Sequence, residues 1–231
     1  MQKQIQAVLF DLDGTLIDTA PDFIRIIQNL CQKDGRVAPS AAAIREQVSA
    51  GARAMVRLIF DGQFDNVADD DPELLAYRQA FLDAYESDIC VDSQVFDGLE
   101  RLLVSLENRQ IAWGIVTNKP RYLATTLLDK LGLGERCAVL VCPDDVAKPK
   151  PDAEPMFLAC DQIGVTAENC IYVGDHIRDI QAGKAAKMQT VVAKFGYLSK
   201  HDHATLHEWG ADFVANTPDE LTDWVLAQLS E

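Results

Sequence analysis

Near the start of the chain the apolar run Ala7-Val8-Leu9-Phe10 leads directly into Asp11-Leu12-Asp13-Gly14-Thr15. Later apolar runs also end in residues able to do chemistry. Ile111–Val116 is followed by Thr117-Asn118-Lys119, and Ala138–Val141 by a stretch holding Lys148-Pro149-Lys150-Pro151. Cys170–Val173 is followed by Gly174-Asp175-His176-Ile177-Arg178-Asp179. Carboxylates, a hydroxyl and lysines gathered in this way suit phosphoryl transfer. Asp11, Asp175 and Asp179 offer hard oxygen ligands for Mg²⁺. The metal and a lysine ammonium would offset the repulsion between an attacking carboxylate and a phosphate dianion. Asp175 and Asp179 are four apart, and share one face if a helix starts there. One aspartate of the first pair can act as nucleophile and form an aspartyl-phosphate. The other can protonate the departing alkoxide and then deprotonate the hydrolytic water. Residues i and i+2 of a regular strand point to opposite faces. The strand must therefore end at Asp11, with Gly14 letting the backbone turn. Thr117 can donate to a phosphate oxygen, and Asn118 before Pro120 marks a helix start whose free N–H groups favour an anion.

Positioning these groups falls to the apolar runs. Ile5–Phe10, Ile111–Val116, Ala138–Val141, Cys170–Val173 and Thr190–Ala193 have the continuous apolar character of strands buried on both faces. Helical spacing lies between the later ones, over Tyr122–Leu131 and Pro155–Ile163, so the fold class is α/β with a parallel sheet. Asp212–Ala215 adds a short edge strand and Leu221–Leu229 a closing helix. In such sheets ligands bind beyond the carboxyl ends of the strands, where the chemical residues lie. One gap breaks the alternation. Between the first strand and the second, Pro21, Pro39-Ser40, Ala52–Phe60 and Pro72 each begin or span an amphipathic helix. Four such helices form a small bundle, with linkers near residues 15–20 and 90–97 and an internal loop over 61–72.

The chain has 231 residues, 48% hydrophobic, with a formal net charge of −15. That field repels the phosphates of nucleic acids and the anionic face of membranes, so neither is an expected partner. An anionic substrate needs local cations to overcome it. Six cysteines form no CxxC pair, and no apolar run approaches the 18 residues of a membrane span. With no signal peptide before the first strand, the expected address is the cytoplasm, with reduced thiols. No feature specifies an oligomeric state.

Asp11-Leu12-Asp13-Gly14-Thr15, Thr117, Lys150-Pro151 and Gly174-Asp175 to Asp179, in that order, resemble the four motifs of the haloacid dehalogenase-type phosphatase superfamily. The likeness spans nearly the whole chain. It implies a Rossmann-like parallel sheet flanked by helices over 1–17 and 93–231, with an inserted four-helix cap domain over 18–92. It also implies Asp11 as nucleophile and Asp13 as general acid/base, with Thr117 and Lys150 on the phosphate. Mg²⁺ would take Asp11, the main-chain carbonyl of Asp13, Asp175 and, directly or through water, Asp179. Lys148 also precedes a proline and competes with Lys150 for its role. Position 176 is usually Asp or another small polar residue in this family; His176 could weaken metal affinity or add a proton-sensitive contact.

The substrate implied is a small phosphorylated metabolite. Gly51 to Val56, Trp113 to Pro120, Cys142-Pro143-Asp144 and Trp209 to Asp212 resemble the N-acetylmuramic acid 6-phosphate phosphatases of the helical-cap subgroup. Phosphoglycolate phosphatases are the alternative. Arg53, beside Gly51 in the cap, suits a substrate carboxylate, with Asn118 and Lys119 as further substrate contacts. Against this stands a solvated helix arginine at position 53. His201, His203 and His207 read as a solvated loop, and Trp113 and Trp224 as core. A dehalogenase needs neither Asp13 nor a metal, a hexose-phosphate mutase returns the phosphoryl group to sugar, and a non-catalytic phosphate sensor is expected to lack Asp11 or Asp13.

Overall fold

The computed structural model describes residues 4–60 and 68–229. Strand β1 (Ala7–Phe10) is followed by the two-residue β2 (Ile17–Asp18). Four helices come next: α1 (Ala20–Lys33), α2 (Ala41–Gln47), α3 (Ala52–Arg57) and α4 (Pro72–Ser87). The chain continues through β3 (Gln94–Val95), α5 (Leu99–Asn108), β4 (Ala112–Val116), α6 (Arg121–Lys130) and β5 (Val139–Val141). Then follow α7 (Glu154–Ile163), β6 (Cys170–Gly174), α8 (Ile177–Ala185) and β7 (Gln189–Ala193). It closes with α9 (Lys200–Thr205), β8 (Phe213–Ala215) and α10 (Pro218–Gln228). The described residues divide into two compact units, one up to Asp18 together with those from Gln94 onward, the other within Thr19–Ser93.

The first unit holds a six-stranded parallel sheet in the order β5-β4-β1-β6-β7-β8. All four residues of β1 are buried, so helices must cover both faces. On one face Ala7, Leu9, Val116 and Tyr172 pack with Met156 and Ala159 of α7 and Ala182 of α8. The expected strands lie within a residue or two of their observed limits. Gly114 of β4 leaves no room for a side chain, because a Cβ there would stand 2.8 Å from the Val139 carbonyl oxygen. The missing side chain at Gly114 lets β4 and β5 approach each other closely.

Two expectations change. Each linker carries a strand: β2 and β3 pair antiparallel, Ile17 with Val95 and Asp18 with Gln94. Two-residue strands have no periodicity to read. The histidine segment is helical rather than a loop, because Ser199 caps α9 and Asp202 returns the bond to the Ser199 N–H. His201, His203 and His207 are nonetheless exposed.

In the second unit, proline in the first turn starts α1 and α4, and Ser40 and Asp71 cap α2 and α4 through backbone N–H groups. Phe23 of α1 packs its ring 5.6 Å from Phe81 and 4.7 Å from Tyr85 of α4. The buried Asp22 carboxylate accepts bonds from the N–H groups of Asp92 and Ser93, from the Ser93 hydroxyl and from Arg25. It thereby ties the start of α1 to the segment that leaves the unit. Of the loop expected over 61–72, residues 61–67 lie outside the described residues.

Candidate active site

The sheet registers explain why distant residues meet. Phe10 of β1 pairs with Ile115 of β4 on one side and Val173 of β6 on the other, so three strands end level. Asp11 continues this ladder by donating its N–H to the Val173 carbonyl at 2.8 Å, and Thr117 does so to Val141 at 3.0 Å. Regular structure then stops. Gly14 takes φ +81°, a conformation open to glycine, and donates its N–H to the Ile17 carbonyl. A Cβ on Gly14 would lie 2.2 Å from Asp175 Oδ2. The turn after β1 is therefore pressed against the carboxylate at the end of β6.

Lys150 lies at the centre. Its ammonium is 2.9 Å from Asp11 Oδ1 and donates to Asp179 Oδ1 at 2.7 Å and to the Tyr172 hydroxyl at 2.8 Å. Tyr172 passes its own hydrogen to the Val116 carbonyl. Burial alone would discharge this lysine; Asp11 and Asp179 outweigh it and hold Lys150 above its ordinary pKa. Lys148, by contrast, is exposed. Asn118 donates to the Lys150 main-chain carbonyl at 3.0 Å, so in this structure it holds the lysine loop. Lys119 places its ammonium 3.0 and 3.3 Å from the two oxygens of Asp13.

Asp175 and Asp179 do converge, though not by sharing a helix face. Helix α8 starts at Ile177 with His176 as its cap, so Asp175 still belongs to the loop leaving β6. The Tyr197 N–H, from the loop after β7, holds Asp175 Oδ2 at 2.8 Å. Asp179 sits in the first turn and accepts the His176 N–H at 3.0 Å. His176 Nδ1 accepts the Arg178 N–H, and burial first, then the Arg178 charge, pushes the imidazole down to about 4. It is a neutral cap.

Asp11, Asp175 and Asp179 each bring a carboxylate oxygen within 4.8 Å of the other two, all three residues being buried. Burial pushes Asp11 up, but the charge and hydrogen bond of Lys150 win and hold it below the usual carboxylate range. Asp179 goes the other way: burial and the neighbouring Asp11 raise it despite Lys150. If all are ionised, Asp11, Asp13, Asp175 and Asp179 outnumber the ammonium groups of Lys119 and Lys150 and the Arg178 charge that also reaches Asp11 and Asp179, leaving the cluster net negative. The donor set is all oxygen, and that excess suits a divalent cation.

Arg53 stands on α3 in the helical unit, 3.0 Å from exposed Asp69. Two tyrosines escaped the sequence reading. Tyr172 was legible as a hydroxyl in an otherwise apolar strand, which needs a buried partner. Gly196-Tyr197 follows the fifth apolar run, where the rule that sites lie beyond strand ends applies equally. Gly196 is confined as well, since a Cβ there would stand 2.3 Å from the Gly14 carbonyl oxygen.

Fold and site together define a parallel α/β protein whose carboxyl edge is built for chemistry on an anion beside a divalent cation. Residues 8–193 match the haloacid dehalogenase-like hydrolase family, and the chain belongs to it. It is 42% identical to an N-acetylmuramic acid 6-phosphate phosphatase of Pseudomonas aeruginosa, over 96% of this chain and 95% of that one. Identity is also 42% with a phosphoglycolate phosphatase of Xanthomonas campestris, over 94% of each chain. Among solved structures, a predicted phosphoglycolate phosphatase from Haemophilus somnus has the same fold. Its TM-score is 0.80 at 20% identity, covering 97% of this chain and 100% of that one.

Proposed function

We propose that this phosphoric monoester hydrolase acts on N-acetylmuramate 6-phosphate in the cytoplasm, with Mg²⁺, through an aspartyl-phosphate on Asp11. The observation that carries the mechanism is the buried, ionised Asp11 at the end of the central strand, paired with Lys150. Asp11 attacks phosphorus, and the bond to the leaving oxygen breaks as Asp13 gives that oxygen a proton. Asp13 then takes a proton from water, which displaces Asp11 and releases inorganic phosphate. Thr117 and Lys150 bind the phosphate oxygens, and Asn118 steadies Lys150 through its carbonyl. Asp11, the Asp13 carbonyl and Asp175 would hold Mg²⁺, with Asp179 supporting the metal, and Asp179 accepts a hydrogen bond from Lys150. When bound, the metal offsets the phosphate charge as it shifts toward the leaving group.

The inserted helical unit serves as the cap that chooses the substrate. Arg53 is offered there to a substrate carboxylate. Its contact with exposed Asp69 is worth little and yields readily to a ligand. The amino sugar is favoured by the stretches at 51–56, 113–120 and 209–212 that resemble its phosphatases. Phosphoglycolate is the second reading, favoured by the equal identity to the Xanthomonas enzyme. Both esters carry a carboxylate.

The test is phosphate release from the two esters side by side with Mg²⁺. The amino sugar is expected to lead in kcat/KM by about a hundredfold, worth about 2.7 kcal/mol in the transition state. The reverse preference would transfer the assignment to phosphoglycolate. Asp11→Asn is expected to fold and to release no phosphate from either; turnover near the wild-type rate would remove the covalent mechanism.

A further inference from the structure

Lys119 stands where a substrate contact was expected, yet it is engaged with Asp13, and we infer that it is a positioning residue that holds the Asp13 carboxylate for its two proton transfers. The inference rests on the acid/base role proposed for Asp13. The ammonium reaches Oδ1 at 3.0 Å and Oδ2 at 3.3 Å, with the two side chains only 5% and 18% exposed. Both ends of the contact are set by the sheet. Lys119 lies three residues beyond β4 and Asp13 three beyond β1, and these strands are neighbours in register. The lysine backbone is fixed as well, its N–H donating to Thr117 Oγ1 at 3.1 Å.

Asp13 needs such an anchor. Its turn is closed at the backbone by the bridge to Ile17 and by the Leu16 and Ile17 N–H groups on the Leu12 carbonyl, whereas the carboxylate itself is held by Lys119. A proton donor must stay within hydrogen-bond reach of the leaving oxygen, and then of the water. Displacement by about 1 Å can cost about a hundredfold in rate. Contact with both oxygens suits a group that gains and loses a proton. Whichever oxygen carries it, the other still accepts from the ammonium. In the first half-reaction the Asp11–phosphorus bond forms, the bond to the leaving oxygen breaks, and the proton on Asp13 passes to that oxygen. In the second the water oxygen bonds to phosphorus, the Asp11–phosphorus bond breaks, and the water proton passes to Asp13.

Leaving groups separate this role from direct substrate binding. An alkoxide must be protonated as it departs, whereas p-nitrophenolate leaves without help. The ratio kcat/KM reports the steps through leaving-group departure. Lys119→Met should therefore lower kcat/KM for whichever alkyl ester the wild type hydrolyses, N-acetylmuramate 6-phosphate or phosphoglycolate, by about 10- to 100-fold. For p-nitrophenyl phosphate the loss should stay within about threefold. Added to Asp13→Asn, the lysine change should cost the alkyl ester nothing more, because its target is already disabled. Equal losses on alkyl and aryl esters, or losses that multiply in the double variant, would overturn the role and return Lys119 to direct substrate contact. If circular dichroism shows Lys119→Met unfolded, Lys119→Gln carries the same comparison. A wild-type protein inert toward both alkyl esters and the aryl ester would instead overturn the phosphatase reading, and this role with it.

Discussion

Asp11, Asp175 and Asp179 would not approach within 4.8 Å of one another for stability's sake. Their repulsion persists beside Lys119, Lys150 and Arg178, and a bound cation would relieve it. Asp175→Asn should consequently raise the melting temperature of the metal-free protein by about 2–4 °C, the shift about 1 kcal/mol brings in a chain this size. The amide oxygen can still accept the Tyr197 N–H. A further rise on adding Mg²⁺ is expected of the wild type and not of this variant. Scanning calorimetry with chelator and with Mg²⁺ measures both, and a lower metal-free melting temperature would count against the repulsion. Much of this centre was legible before the fold was known. Asp11, Asp13, Thr117, Lys150, Asp175 and Asp179 all follow apolar runs, and parallel sheets place such residues together. What could not be read is which side chain reaches which. The Lys119–Asp13 contact joins positions 106 apart in the chain. The convergence of Asp175 and Asp179 comes from a loop and a cap rather than from helical spacing. Lys150 and Lys148 differ in burial, a property of the folded loop alone.

Among the elements, α1 owes its placement to one carboxylate as much as to its apolar face. Asp22 is fully buried, and its partners are Arg25, the Ser93 hydroxyl and two backbone N–H groups. Burial pushes Asp22 up, but these donors outweigh it and hold its pKa below the unfolded value. The sign follows. The contribution is fully present above the unfolded pKa of about 3.9 and is lost as pH falls through the folded value. Asp22→Asn should cost about 2–3 kcal/mol at pH 7, the scale of hydrogen bonds to a charged group. That difference from wild type should shrink on acidification below about pH 4. Urea unfolding at a series of pH values checks it, and a difference constant down to pH 3 would assign the loss to packing. The long helices α1 and α4 were readable from proline starts and apolar spacing. The pair β2 and β3 was not, since two residues carry no period, and α9 was hidden by its polarity until its Ser199–Asp202 cap formed.

The whole molecule sets a negative field against an anionic ligand. With a net charge of −15, long-range attraction cannot bring a phosphate ester in. Lys119 and Lys150 meet the carboxylates at the carboxyl ends of the strands, and the strand order explains where. From β1 the chain builds outward through β4 to β5, then crosses to β6 and builds away on the other side. The crevice at such a switch of direction, beside β1, is where an open parallel sheet receives ligands. The apolar runs announced the strands and their parallel arrangement. Their lateral order depends on crossover connections that no single run encodes.

The ribbon of β2 and β3 bears on how this architecture can be edited. Asp18 and Gln94 face each other across an antiparallel pair, so the chain leaves for Thr19–Ser93 and returns at the same spot. An insertion whose two ends meet is a detachable module. A tight two-residue turn such as Asn-Gly could bridge Asp18 to Gln94 and leave the ribbon a plain hairpin. The same junction could accept a foreign module whose own ends lie a strand spacing apart, about 5 Å. Nature's route to new substrates on this sheet and a protein engineer's would then be one and the same splice.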